Sequence, residues 1–451
     1  MDIKEEGISG SVLEKEIKEV AKEFLKKSEE KEILLISHFD TDGITSAAIM
    51  IQTLKKLDRK FSVKILKSLE SDLIHELPKD KIILFLDLAS GSFNHIKEAE
   101  LKDVFILDHH EIVQEIPNGL KIVNPSINTS FKISSSGVTY LFCKEIDPEN
   151  KKLAKLAVLG MIGDFLEGSI DLLGKEIFEE EVKKKNGLKI YPSTRPLNRT
   201  LEYCSNPYIP GVTGNSQGVT ELLRETGIET LNGKYKSLIE LNEEEMKKLV
   251  TAIMLRNPKA KSENIIGNIF LLKFFNKLED ARELSAKVNA CSRLGKSGTA
   301  LRLCMEIPEA RKEAEEIHLK YKQHLISGLE FAAKTEKIEG KGFVIINAGN
   351  NIKDTIVGTI ASILSNSPNY EEGTIITTMA YYGKKIKVSA RISGRVSNGR
   401  NVHEILNSVI KEIGGEVGGH EFAAGCMITQ DKEKQFIDAL KKNLEIEMVK
   451  I

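Results

Sequence analysis

Val104-Phe105-Ile106-Leu107-Asp108-His109-His110 is an unbroken apolar run that ends on an aspartate and two histidines. Apolar residues in succession, without alternation, suit a strand buried on both faces, as in a parallel sheet covered by helices. Polar residues at the carboxyl end of such a strand fall where open α/β sheets form their sites. Three other segments repeat the pattern. The run 33–36 leads into Ser37-His38-Phe39-Asp40-Thr41-Asp42-Gly43, the run 82–86 ends at Asp87, and Gly160-Met161-Ile162-Gly163 leads into Asp164.

Outward from these segments, hydrophobic spacing predicts a helix over 11–28. It then predicts strands over 33–37, 61–66, 82–87 and 104–107, with helices over 43–57, 93–100, 136–146 and 151–163. The expected architecture is α/β: a parallel sheet with helices on both faces, followed by a smaller α/β domain. The expected division is 1–170 for the catalytic domain, 171–278 for an insertion or linker completing that lobe, 279–336 for connecting helices, and 337–451 for the second domain. The insertion carries charge-rich stretches at 176–185 and 240–249 around a turn-rich segment that includes Asn206-Pro207-Tyr208, and short helices are expected there. A long helix over 309–334 joins the parts. The second domain should have strands over 343–347, 374–380 and 385–391, and helices over 354–365, 401–411 and 431–444.

Composition narrows the function classes. The chain has 451 residues, 29% of them charged, and a net charge of −1, so any nucleic-acid contact must use a local groove rather than a global basic field. Five scattered cysteines with no CxxC speak against a disulfide framework or zinc ribbon. No apolar run reaches the ~18 residues of a membrane span, and the acidic start is unlike a signal peptide. The expectation is a cytoplasmic protein with no membrane partner.

His38-x-Asp40-x-Asp42 alternates, and in an extended segment the three side chains would share one side. Gly43 would relieve the backbone at the turn into the helix. A single aspartate after an apolar run is most often a helix N-cap, and a lone histidine is most often structural. It is the ordered conjunction that points to metal. The candidate ligands are His38, Asp40, Asp42, Asp87, His109 and Asp164. Six ligands exceed the need of one ion in an open site and suit two ions sharing a bridging carboxylate. Mixed imidazole and carboxylate donors favour two Mn2+, with Mg2+ or Co2+ as substitutes.

The second domain adds a basic run. Residues 381–403 contain Lys384, Lys385, Lys387, Arg391, Arg395 and Arg400 and no acidic residue. Val388-Ser389-Ala390-Arg391 lies within it, and Gly414-Gly415-Glu416-Val417-Gly418-Gly419-His420 follows as an expected glycine loop. Paired glycines let a phosphate approach exposed backbone N–H groups.

The chain resembles the DHH-family phosphoesterases, specifically their RecJ-like exonuclease branch. Residues 37–43, Asp87, Asp108-His109-His110 and Asp164 match that family's metal-site motifs. The resemblance implies that His38 and Asp40 hold one ion, that Asp42, His109 and Asp164 hold the other, and that Asp87 bridges. It implies that His110 contacts the scissile phosphate and that Asp108 orients a neighbouring histidine. Ser134-Ser135-Ser136-Gly137 resembles the family's Ser-Ser-x-Gly segment, and a helix N-terminus there could steady an anion or simply be capped. Ser389, Arg391, Gly418, Gly419 and His420 resemble the companion DHHA1 domain and would grip a nucleic-acid strand. Lys287-Val288-Asn289-Ala290-Cys291-Ser292-Arg293 resembles the segment before the connecting helix, with Arg293 a candidate phosphate contact.

There are departures. The DHHA1 segment reads Gly-Gly-Glu-Val-Gly-Gly-His, and no counterpart of the bacterial oligonucleotide-binding-fold domain is recognisable. The 190–260 region is more like archaeal RecJ-like proteins, including the GINS-associated nuclease. The related eukaryotic replication factor has lost its metal ligands, whereas here all are retained, which implies an active enzyme. The expected activity is divalent-metal-dependent degradation of single-stranded DNA, with RNA a further candidate, in the 5′→3′ direction and in replication or repair. The alternatives are a phosphodiesterase for short oligoribonucleotides or cyclic dinucleotides, and a replisome scaffold bound to GINS.

Overall fold

The computed structural model describes residues 11–112, 114–178, 181–204, 209–257, 265–367, 369–394 and 399–450. Arg395 of the basic run and Asn206-Pro207-Tyr208 of the turn-rich segment lie outside them. The chain divides into two units, up to Glu315 and from Glu316 onward.

The first unit is built on the strands β1 (Ile33–His38), β2 (Phe61–Leu66), β3 (Ile82–Leu86), β4 (Val104–Leu107) and β5 (Lys121–Val123). All neighbours are parallel, in the order β2-β1-β3-β4-β5. β3 and β4 are buried throughout, as their unbroken apolar sequences require. The short β5 was not expected. Its first two residues are half-buried and its sequence has no alternating signature.

Helices cover both faces. Ile36, Ile83, Phe85 and Ile106 pack against Ile74, Leu77, Phe93 and Ile96 from α3 (Ser71–His75), α4 (Phe93–Glu98) and their flanks. On the other face Phe24 of α1 (Val12–Ser28) meets Phe105 and Phe142 edge-on, at 5.2 and 5.7 Å between ring centroids. Phe142 belongs to α5 (Ser135–Ile146), which packs with α2 (Thr41–Lys56) and α6 (Ala154–Gly163). The strand order reverses direction at β1, because β2 and β3 lie on its opposite sides. In such sheets the crevice at the strands' carboxyl ends is open at that point.

The region after α6 holds more strand than expected. β6 (Val182–Leu188) pairs antiparallel with β9 (Ile266–Phe274), which pairs with β10 (Lys277–Asp280). Between them lie α7 (Leu197–Glu202), α8 (Ser216–Glu225), the hairpin β7 (Thr230–Leu231) and β8 (Lys234–Tyr235), and α9 (Glu243–Arg256). They share a core of their own that includes Leu197, Leu222, Leu238, Leu249 and Ile269. The lysines of β6 read as a solvated charge run because only Val182, Gly187 and Leu188 of that strand are buried.

α10 (Ala281–Arg293) and α11 (Ser297–Cys304) follow, then α12 (Pro308–Lys334), whose chain crosses from the first unit into the second.

The second unit has a six-stranded mixed sheet, with β11 (Ile338–Gly340), β12 (Phe343–Asn347), β13 (Ile375–Tyr382), β14 (Lys385–Ile392), β16 (Ala423–Thr429) and β15 (Glu416–His420) in that spatial order. One face carries Ile386, Val388 and Ala390 against α14 (Val402–Ile413) and α15 (Glu433–Lys450). The other lies against α13 (Asp354–Ser365). The expected glycine loop is a correction: 416–420 form an edge strand paired antiparallel with β16. Among the described residues no helix is long and apolar enough to cross a membrane.

Candidate metal centre

His38 ends β1, and Asp40 is the N-cap of α2, with its Oδ1 accepting from Gly43 N at 3.0 Å. Its other oxygen, Oδ2, lies 3.0 Å from His38 Nδ1. Capping and ligation are therefore compatible, because each uses a different oxygen. The alternation argument for His38, Asp40 and Asp42 does not hold, since the chain turns into the helix at Thr41. They converge because the turn is tight. Gly43 makes it possible by close approach rather than by unusual dihedrals: a Cβ there would lie 2.3 Å from His38 O.

Asp42 is fully buried and sits at the N-terminus of α5. It accepts from Ser134 Oγ at 2.6 Å, Ser135 N at 2.8 Å and Ser136 N at 3.0 Å. The anion steadied by this helix N-terminus is thus a carboxylate of the protein itself. Gly160 of α6 closes the other side, where a Cβ would lie 2.1 Å from Ser136 Oγ and 2.6 Å from Asp42 Oδ1.

Asp87 follows β3 with a left-handed φ of 59° and is 1% exposed. Its Oδ2 is 3.4 Å from His38 Nδ1, while its Oδ1 is 3.6 Å from His109 Nε2. Ser135 Oγ donates to that Oδ1 at 2.9 Å. His109 Nε2 also lies 3.2 Å from Asp164 Oδ2, where Asp164 caps the C-terminus of α6. His38, Asp40 and Asp87 form one group of ligand atoms within 4.8 Å of one another; Asp42, His109 and Asp164 form a second; Asp87, His109 and His110 form a third. Asp87 sits between the two histidines, one oxygen toward each.

Asp108 is buried beneath the two histidines. It accepts from His109 N at 2.8 Å, His110 N at 3.3 Å and Ser90 N at 3.1 Å, and pairs with His110 Nδ1 at 2.7 Å. Asp108 therefore orients His110, whose side chain is 56% exposed.

Burial and charge crowding shift Asp42, Asp87, Asp108 and the three histidines. Burial raises the Asp42 carboxyl to about 6, with the Asp164 charge adding to it. Burial and the charges of Asp40 and Asp42 hold Asp87 well above the usual carboxylate range. Burial disfavours protonated His109, but the Asp164 hydrogen bond and the Asp42 and Asp87 charges outweigh it and carry the imidazole up to about 10. His38 is raised in the same way, against its burial, by Asp40 and Asp87. Burial would raise Asp108, yet His110 holds it below the usual range, and Asp108 in turn raises His110 against burial. His38 Nδ1 and Asp87 Oδ2 are buried without a directed hydrogen bond despite their proximity. An imidazole nitrogen and a carboxylate oxygen left imperfectly paired among several carboxylates fit a divalent cation.

α10 lies against this centre. Thr41 Oγ1 donates to Ser285 O at 3.2 Å, and Arg293, half-buried, ends the helix. In the second unit, Ser389 pairs with Gly425 and Gly425 with Gly418, while Arg391 pairs with Ala423 and Ala423 with His420. Cross-strand partners and alternate residues share a face, so Ser389, Arg391, Gly418 and His420 lie on one side of the sheet. Ser389 is buried and Arg391 half-buried, with its Nε donating to Ser362 Oγ at 3.0 Å, whereas His420 is exposed on the edge strand. Gly419 has a φ of 124°, and a Cβ there would lie 2.3 Å from Ala423 O. Ser90, Ser134 and Ser135 support the centre without having been singled out as site residues. Only the Ser-Ser-x-Gly spacing hinted at two of them.

Three family descriptions match: the DHH family N-terminal domain over 32–162, the DHH-CID domain over 191–265 and the DHHA1 domain over 340–445. An uncharacterized protein of Methanocaldococcus jannaschii is 30% identical over 429 residues, covering 90% of this chain and 91% of that protein. The single-stranded-DNA-specific exonuclease RecJ of Bacillus subtilis is 28% identical over 154 residues, 31% of this chain and 20% of that one. The chain belongs to the RecJ-like DHH family. RecJ of Thermus thermophilus in complex with Mn2+ superimposes with a TM-score of 0.60 at 17% identity, covering 95% of this chain and 54% of that one. This RecJ-like chain therefore spans about half the length of that RecJ. CDC45 from Entamoeba histolytica gives a TM-score of 0.66 at 12% identity, covering 95% of this chain and 99% of that one. The DHH fold is that of a phosphoesterase, a hydrolase with His and Asp groups able to bind metal.

Proposed function

We propose that this protein is a divalent-metal-dependent exonuclease that releases mononucleotides from single-stranded DNA or RNA, working from the 5′ end. The observation that carries the reading is Asp87, with Oδ2 toward His38 and Oδ1 toward His109. Such a carboxylate would suit two ions that share it. His38, Asp40 and Asp87 would hold one, and Asp42, His109, Asp164 and Asp87 the other. The T. thermophilus RecJ structure contains Mn2+, and the mixed donor set here favours that ion as well. When bound, a pair of ions activates water and neutralises charge on a phosphodiester.

The chain's own groups do the rest. Asp108 takes the Nδ1 side of His110 and leaves the other ring nitrogen for a phosphate oxygen. Because Asp108 favours the imidazolium, His110 would present a cationic donor where negative charge develops. Asp42, fixed by three donors from α5, holds its position without reorganisation. Ser389, Arg391, Gly418, Gly419 and His420 would hold the strand, with Arg293 a further phosphate contact. The matches to RecJ favour single-stranded substrates over short oligoribonucleotides or cyclic dinucleotides.

The test is a length series of end-labelled single-stranded DNA and RNA, with dinucleotides and cyclic dinucleotides, in Mn2+. Stepwise mononucleotide release from long strands is expected, abolished in Asp108→Ala/His109→Ala. Cleavage confined to dinucleotides would overturn the long-strand substrate, and full activity in the double variant would overturn the centre. Labels at the 5′ and 3′ ends read the polarity.

The CDC45 likeness favours a second reading, a replisome scaffold in contact with GINS. It requires that binding to such a partner survive Asp87→Asn with no nuclease activity in the native chain.

A further inference from the structure

His75, His95 and Glu98 bring three ligand-type atoms within 4.8 Å of one another, apart from the centre around Asp87. His75 ends α3, and His95 and Glu98 are three residues apart on α4, a spacing that places both on one helical face. His75 Nε2 lies 3.9 Å and His95 Nδ1 lies 3.4 Å from the same atom, Glu98 Oε2. The two rings are 6.5 Å apart between centroids and inclined by 74°. Around a tetrahedral ion with bonds near 2.1 Å, neighbouring ligand atoms are roughly 3.4 Å apart. The three side chains therefore stand close to the spacing one ion would impose.

The backbones beneath them are anchored. Ile74 and Leu77 flank His75, Phe93 and Ile96 flank His95, and all four belong to the apolar cluster that covers one face of the parallel sheet. Little rearrangement separates the ion-free arrangement from a coordinating one. The two imidazole side chains are each 45% exposed, so a fourth position is open to water. A donor set with two imidazoles and one carboxylate selects a Zn2+-class ion over Mg2+ or Ca2+, which prefer oxygen alone.

We propose that His75, His95 and Glu98 form a separate site for a Zn2+-class cation that clips α3 to α4. α4 begins immediately after residues 87–92, the segment that carries Asp87 and Ser90 into the metal centre. An ion there would secure the far end of that segment. The site does not depend on the nuclease reading.

The experiment is calorimetric titration of the EDTA-stripped full chain with Zn2+, paired with thermal melting. It compares the native protein with His75→Ala, His95→Ala and the His38→Ala/His109→Ala double variant. His75→Ala and His95→Ala are expected to bind one Zn2+ fewer than the native chain and to keep the native Tm in EDTA. The double variant, which lacks the His38 and His109 imidazoles of the Asp87 centre, should retain that Zn2+ and its upward shift of Tm. If the double variant does not fold, the two single variants, whose altered side chains are each 45% exposed, still decide. Equal Zn2+ stoichiometry and affinity in the native chain and in His95→Ala would overturn the proposal.

Discussion

Asp87 combines two costs, a left-handed backbone on a residue other than glycine and a buried carboxylate held well above its ordinary pKa. Both are expected where a ligand provides the compensation. Asp87→Asn keeps the shape and tolerates the dihedral while removing the charge. It should stabilise the ion-free protein by about 1 kcal/mol and abolish the Mn2+-induced rise in Tm; a retained rise would contradict the assignment. Protonation supplies a second check. With its pKa raised to about 10, His109 is an imidazolium at pH 7 in the ion-free protein. Its pairing contributes stability in full below ~6.5 and loses it as pH climbs through the raised value. An ion needs the lone pair, so Mn2+ binding should release protons and tighten with rising pH. Titration at pH 7 in buffers of different ionisation enthalpy measures this, and identical heats would refute it. At this scale the candidate ligands were legible, because each lies at or just past the end of a strand or at the end of a helix. Ser90 and Ser135 were not, because their partners come from other segments of the chain.

Elements explain why the ligand atoms hold still. α5 aims its first turn at Asp42, and α6 crosses it closely enough that Gly160 has no room for a methyl group. Gly160→Ala should destabilise the fold by about 1–3 kcal/mol through overpacking and weaken Mn2+ binding as Asp42 shifts. Chemical denaturation and calorimetry read the two effects, and an unchanged unfolding midpoint would show that the helices can part without cost. Most elements were readable from their periodicity. β6 was not, since Lys183-Lys184-Lys185 hides a strand with few buried residues. Nor was β15, where glycines signalled a turn but paired with β16 instead. Isolated sequence cannot report a partner strand.

At the scale of the whole molecule, the proposed function would assign cutting to the first unit and strand holding to the second. In the full chain, Arg391→Ala/His420→Ala should weaken binding of long single strands about tenfold or more, as expected for lost phosphate contacts. Hydrolysis of a small phosphodiester such as bis-p-nitrophenyl phosphate should be little changed. Equal losses on both substrates would place these residues outside strand binding. Hydrophobic spacing predicted the two-part α/β plan, and the charge distribution marked a locally basic segment within a nearly neutral chain. Neither could show that Ser389, Arg391, Gly418 and His420 share a sheet face, because that follows from the register of β14, β16 and β15. The central claim is the pair of ions flanking Asp87, and anomalous diffraction from Mn2+-soaked crystals tests it most directly. Two peaks are predicted about 3.5–4 Å apart, one beside His38 and Asp40 and the other beside Asp42, His109 and Asp164. A single peak, or peaks away from Asp87, would contradict it.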